Sequence, residues 1–173
     1  MHLQALQKVV AGATIMAALG AAGWVRAQAG ANTVLNPADM EKLFPATVYY
    51  CGRNAPAQLR NSGGVKFVNG HYVLASLVDT SGYSTGVREK YQGYLIAEVP
   101  LKIGGKHLPA GAYGFGFLGG NQFLVTDLGG NDVLTAQWST DATMARPRPL
   151  QVTVDAAGGY RLYAGRSYVH FDR

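Results

Sequence analysis

From about residue 64 onward, apolar and polar positions alternate in short runs, each closed by a turn rich in glycine, asparagine or proline. Gly64–Phe67 and Tyr72–Val78 flank Asn69-Gly70, a pair that suits a tight hairpin. Within the second run Val73, Ala75 and Leu77 face one way and Tyr72, Leu74 and Val78 the other, which predicts a strand covered on both sides. Tyr94–Ile103 reads as a longer strand: Leu95, Ala97, Val99, Leu101 and Ile103 share a face, with Glu98 and Lys102 opposite. Leu108-Pro-Ala-Gly111 turns the chain into Tyr113-Gly-Phe-Gly-Phe117. The runs Phe123–Leu128, Val133–Trp138, Leu150–Val154, Tyr160–Tyr163 and Tyr168–Phe171 follow, with Asp141–Arg148 as a loop.

This gives eight to ten short strands at spacings of about eight to twelve residues. The predicted fold is all-β, an antiparallel β-sandwich or flattened β-barrel. One short helix precedes it. Asn36 fits the N-cap, Pro37 the first helical position, Asp39 and Glu41 the positive end, and Pro45 stops the helix beyond Leu43.

The first thirty residues follow a different pattern. Lys8 precedes an uncharged run, Val9 to Val25, and then Ala27-Gln28-Ala29, the layout of a secretory signal peptide cleaved after Ala29. The alternative is a retained anchor, although seventeen residues rich in Ala and Gly are short for a spanning helix. The expected organisation is therefore a signal peptide over 1–29, an N-terminal segment with the helix over 30–45, and one β-domain over 46–173. The expected location is periplasmic or extracellular, with no stable membrane span after cleavage.

Composition adds little specificity. Cleavage leaves 144 of the 173 residues, enough for a core without covalent staples. Without Lys8 and Arg26 the basic residues number 13 against 10 acidic, a net charge of +3, too weak a field to argue for nucleic acid. Cys51 is the single cysteine, so no internal disulfide can form, and its simplest role is that of a small buried hydrophobe.

Candidate chemistry is sparse. Gly82-Tyr83-Ser84-Thr85-Gly86 matches a nucleophile elbow, and Asp127, Asp132 or Asp155 with His170 could complete a triad. The long helix such an elbow requires is missing, since Val87–Gly93 is at most one or two turns. Leu128–Leu134 resembles one calcium-binding nonapeptide, but those sites need stacked copies, and a hairpin loop explains the residues. His71, His107 and His170 have no partner at metal-ligand spacing. No catalytic residue, metal or cofactor is therefore assigned. Arg146-Pro147-Arg148-Pro149 is a basic loop whose prolines discourage edge pairing and whose charges suit solvent or an anionic surface.

The most suggestive pattern is aromatic. Tyr113, Phe115 and Phe117 project from one face of a strand that Gly114 and Gly116 leave bare on the other, and Tyr83, Tyr91 and Tyr94 cluster nearby in sequence. These six residues are the candidate ligand-binding set, an aromatic-lined cleft for a small apolar or sugar-like ligand, against the plainer reading of an ordinary sandwich core.

The string Gly105-Lys-His-Leu-Pro-Ala-Gly-Ala-Tyr-Gly-Phe-Gly-Phe117, with Gln58–Gly64 and Arg161–Arg166, resembles small exported bacterial β-domain proteins of uncharacterised families, which carry an L-P-A-G-x-Y turn. The resemblance implies export and a β-fold and carries no activity. The expected function is a non-enzymatic exported binding or interaction module. The alternatives are a structural protein that dimerises through a sheet edge and, third, a small serine hydrolase at Ser84.

Overall fold

The structure, a computed structural model, describes residues 31–173, so the expected leader lies outside the described residues. It is an all-β fold of two separate antiparallel sheets that do not close into a barrel. In chain order the first sheet comprises β1 (Thr33–Leu35), β2 (Thr47–Tyr50), β3 (Arg53–Lys66), β4 (Tyr72–Val78), β5 (Gly93–Ala97), β8 (Gly111–Leu118), β9 (Gln122–Thr126) and β10 (Asp132–Gln137). Its order is β1-β3-β4-β5-β8-β9-β10, with β2 paired to the opposite end of β3 from β1. The second sheet has the order β12-β13-β14-β6-β7, from β6 (Leu101–Ile103), β7 (Lys106–Leu108), β12 (Arg148–Val154), β13 (Tyr160–Gly165) and β14 (Ser167–Asp172). The two-residue β11 (Ser139–Thr140) pairs with β14.

Two short helices complete the domain. Helix α1 (Pro37–Leu43) starts as expected: the Asn36 side chain accepts from the Ala38 and Asp39 amides, and the Asp39 carboxylate accepts in return from the Asn36 amide. It packs on β3 and buries Met40. Helix α2 (Thr85–Lys90) is under two turns long. Because β1 hydrogen-bonds β3, the segment over 30–45 joins the same body as the rest of the chain.

Residues Tyr94–Ile103 do not form one strand. Pro100 interrupts them, and the chain leaves the first sheet after Ala97, builds the β6–β7 hairpin in the second, and returns beyond Pro109 as β8. Leu95, Ala97, Val99, Leu101 and Ile103 are nevertheless all buried, because one apolar layer lies between the sheets and both halves of the run point into it. β3 extends eleven residues further back than the alternation from Gly64 suggests. Its first part, Arg53–Ser62, is polar, contains Pro56, and carries a bulge between Gln58 and Ser62.

The first sheet is covered on both faces. Val65, Val73, Ala75, Leu95, Phe115, Phe123 and Val125 face the second sheet in the main core. On the opposite face Leu74, Val78 and Tyr94 pack with Leu35, Met40, Phe44, Val48, Tyr50 and Tyr91. This second layer approaches closest at β8. A Cβ placed on Gly114 would lie 2.6 Å from Tyr50 Cε2 and 2.7 Å from Thr126 Oγ1. One on Gly116 would lie 2.5 Å from the Lys90 carbonyl oxygen. The bare face of β8 is thus occupied by rings and backbone from α1–β3 and α2, not left open.

Gly114→Ala should destabilise the protein by about 1–3 kcal/mol in chemical denaturation, since the added methyl meets a packed ring and a buried hydroxyl. Gly119→Ala, with open space around it and no positive φ, should change stability by less than about 0.5 kcal/mol.

Candidate functional site

The six aromatic residues singled out in the sequence fall on opposite sides of the first sheet. Tyr113 and Phe115 are sealed between the layers, at 8% and 0% exposure, and Phe117 is half-buried at the rim. Phe115 and Phe117 both pack on Phe123, at centroid separations of 5.7 and 4.9 Å. The cleft expected along this stripe is filled by the second sheet. What remains between the sheets is an apolar void of about 10 Å³ lined by residues such as Val73, Leu95, Leu162 and Phe171, too small for an organic ligand.

Tyr83, Tyr91 and Tyr94 lie on the other face. Tyr91 stacks on Tyr50 at 3.8 Å, and Tyr83 meets both rings edge-on, at 6.2 Å from Tyr50 and 5.4 Å from Tyr91. The Tyr83 hydroxyl donates to the Tyr50 and Arg53 carbonyls (3.0 and 3.2 Å), and the Tyr50 hydroxyl shares a hydrogen bond with Thr126 (2.8 Å). Tyr91 is fully buried and its hydroxyl has no partner, so desolvation holds its pKa well above the ordinary tyrosine value. Tyr94 packs edge-on to Phe44. These tyrosines fasten α1, α2 and the β2–β3 turn to the sheet. Cys51 sits in that turn, half-buried at φ +46°, with its Sγ against Gly130; it is less buried than a core position.

No nucleophile elbow is formed. β4 ends at Val78, six residues before Ser84, and Ser84 caps α2 without a side-chain hydrogen bond. The three candidate carboxylates are engaged elsewhere. Asp127 accepts from the amides of Gly129 and Asn131 and from the Asn131 side chain, Asp132 pairs with Lys90, and Asp155 pairs with Arg161. The Asp127 contacts also make Gly129–Asn131 a self-capped hairpin loop, with Gly130 at φ +86°. Among the described residues, no three His, Cys, Asp or Glu side chains gather where they could hold a metal ion.

A connected polar site does occur on the outer face of the second sheet, and it brings Asp155 and His170, the possible triad partners, to 4.0 Å of each other in a setting that is held by Arg161. β13 and β14 form a hairpin whose inward residues, Tyr160, Leu162, Val169 and Phe171, enter the core. Period two then sends Arg161, Tyr163, Tyr168 and His170 outward. Arg161 and His170 are cross-strand partners, as are Tyr163 and Tyr168. The Arg161 guanidinium grips Asp155 with two bonds, Nε to Oδ2 at 2.8 Å and Nη2 to Oδ1 at 3.0 Å, and lies 4.4 Å from the Tyr168 ring centre. The chain of contacts continues through Arg161 Nη1 to Tyr163 Oη (3.4 Å) and from that hydroxyl to Asp141 Oδ2 (3.1 Å). On the other side His170 Nε2 donates to the Gly158 carbonyl at 2.8 Å and stands 4.0 Å from Asp155. A carbonyl only accepts, so Nε2 carries a proton and Nδ1 is the atom left to bond elsewhere.

Asp155 is 6% exposed. The Arg161 hydrogen bonds, with the Ala157 amide second, hold its carboxyl below the ordinary aspartate range. The same pairing keeps Arg161 charged at every accessible pH. Asp141 is also held low, chiefly by the Thr143 hydroxyl and then by Tyr163. The network is therefore a hydrogen-bonded platform, ionised at neutral pH, with the half-buried Tyr168 ring at its centre. The sequence signal for it was Tyr-Arg-Leu-Tyr followed by Tyr-Val-His-Phe-Asp: two facing strands whose outward residues include aromatic, cationic and imidazole groups instead of the usual Thr, Lys and Glu.

No protein-family model, curated protein or solved structure matches the chain.

Because the folded pKa of Asp155 lies below its unfolded value of about 3.9, its contribution to stability is complete above that value and is lost as the pH falls through the folded pKa. Asp155→Asn should thus lower Tm at pH 7, and the gap from wild type should close as the pH drops below about 4. Melting curves across that range check this; a constant gap would contradict it.

Proposed function

We propose that this chain is an exported, non-enzymatic binding module whose contact surface is the outer face of the second sheet, and that its ligand is sugar-like. The observation that carries this reading is the Arg161–Tyr168 platform. An aromatic ring, a guanidinium stacked on it and an imidazole are gathered with Asp155 and the Gly158 carbonyl on the outer sheet face, beside the loop from Asp141 that buries Tyr163. An aromatic face accepts the apolar side of a pyranose, while fixed donors and acceptors around it read hydroxyl groups. Gln151 and Thr153, on the neighbouring strand opposite Tyr163 and Arg161, supply further polar groups on the same face. The leader-like residues 1–29 support export.

The Arg161–Asp155 pairing matters to this reading. Arg161 is ordered by a carboxylate before any ligand arrives, so little side-chain freedom remains to be lost on binding. Sheet edges are poorer contact sites. The Lys106 ammonium occupies the Thr135 carbonyl on β10 at 2.6 Å, and β12 begins between Pro147 and Pro149 and carries a bulge.

Tyr168→Ala should reduce binding of soluble polysaccharide fragments at least about tenfold by calorimetry, corresponding to loss of one stacked ring. It should leave Tm within a few degrees of wild type, since the ring is only half-buried and lies outside the core. Unchanged binding in this variant, or no binding of any glycan by the wild type, would overturn the proposal.

A further inference from the structure

Beside the Tyr168 platform three arginines meet at one corner. Residues Ala164 and Ser167 pair, so Gly165 and Arg166 are the two central residues of the β13–β14 turn. Gly165 has φ +63°, which suits the first central position of a type II′ turn and places Arg166 at the tip. Gly165 is also the ladder partner of Arg148. Partner Cα atoms in an antiparallel ladder are about 5 Å apart, so the Cα atoms of Arg148 and Arg166 lie within about 10 Å. Arg146 stands two residues before Arg148, and Pro147 and Pro149 restrict the backbone that carries both.

The loop from Asp141 clasps this turn. The Asp141 amide donates to the Arg166 carbonyl (2.9 Å), and Arg166 Nε donates to the Met144 carbonyl (3.2 Å). That bond holds the Arg166 side chain while leaving its two terminal nitrogens without a partner among the described residues. All three arginines are exposed, and none forms an ion pair among the described residues. The nearest acid in the loop, Asp141, is already engaged by Thr143 and Tyr163. Three like charges are therefore carried on neighbouring stretches of one loop and turn, an arrangement whose mutual repulsion a multivalent anion relieves.

The position of the corner says what kind of anion. Arg166 stands at the turn two residues before Tyr168, so the basic tip adjoins the end of the strand that carries Tyr168 and His170 on its outward side, about 7 Å apart per step. A ligand lying along β14 would meet a ring-stacking surface and then a run of guanidinium forks. We infer that this corner binds the carboxylates of an acidic polysaccharide whose sugar rings sit on Tyr168. The inference rests on the sheet-face reading above and adds the substrate class to it.

Calorimetry of the purified protein with oligogalacturonate, neutral dextran oligosaccharides and phosphatidylglycerol vesicles tests this. Oligogalacturonate should bind most tightly, and its affinity should fall as salt rises from about 0.05 to about 0.5 M, because exposed charge pairs are screened. The triple variant Arg146→Gln, Arg148→Gln, Arg166→Gln should lose about tenfold or more of that affinity and most of the salt dependence, while melting as wild type does. Equal affinity in the triple variant, equal affinity for dextran and oligogalacturonate, or preferential binding to the vesicles would each overturn the inference. Loss of binding in Tyr168→Ala with none in the triple variant removes the arginine corner alone. The converse removes the sheet-face reading.

Discussion

The close approach that Gly114 and Gly116 permit on one face of β8 determines how the rest of the chain is arranged. β8 is central to the first sheet, between β5 and β9, and its other face carries Tyr113, Phe115 and Phe117 into the main core. A side chain at 114 or 116 would push Tyr50 or the Lys90 backbone away from the sheet. Their arrival lets α1, α2 and the β2–β3 turn settle as a third layer. The Gln92 amide completes it, accepting from the Phe117 amide at 2.9 Å and donating to the Phe117 carbonyl at 3.2 Å, so a side chain continues the ladder where β5 stops. Burial of this kind stabilises by about 1.5–3 kcal/mol for each large apolar side chain, and the second layer contains several.

Once the first sheet is used on both faces, the broad surfaces available for recognition are few. The inner face of the second sheet belongs to the core. Its outer face is where the inward alternation of β13 and β14 obliges Arg161, Tyr168 and His170 to point to the surface. Arg161 is tied to Asp155 by two charge-assisted hydrogen bonds and through Tyr163 to the loop at Asp141, it stacks on Tyr168, and His170 donates to the Gly158 carbonyl. The fold thus concentrates chemistry on one side of the molecule and structural aromatics on the other.

Much of this architecture was legible in the alternation itself. The antiparallel all-β class, the hairpin at Asn69-Gly70, the capped helix at Asn36 and the shared inward face of Leu95 to Ile103 all follow from spacing and turn chemistry. Two features were not. The break at Pro100 is invisible to periodicity, because residues entering one core from either of two sheets keep the same parity. The early half of β3 lacks apolar alternation, since its pairing with β2 and β4 holds a polar edge. The site was less legible than the fold. Bulky rings at 113, 115 and 117 look alike whether they line a cleft or fill a core, and only the depth of the second sheet distinguishes the two. The Asp155–Arg161–His170 contacts depend on cross-strand register, which a single sequence expresses weakly.

Hydroxyl-radical footprinting of the folded protein tests the division of aromatic residues most directly. The account predicts rapid labelling of Tyr49, which is 54% exposed, measurable labelling of Tyr168, and protection of Tyr50, Tyr91 and Phe115 until the protein unfolds. Labelling of Tyr91 or Phe115 at the rate of Tyr49 in the native state would contradict it.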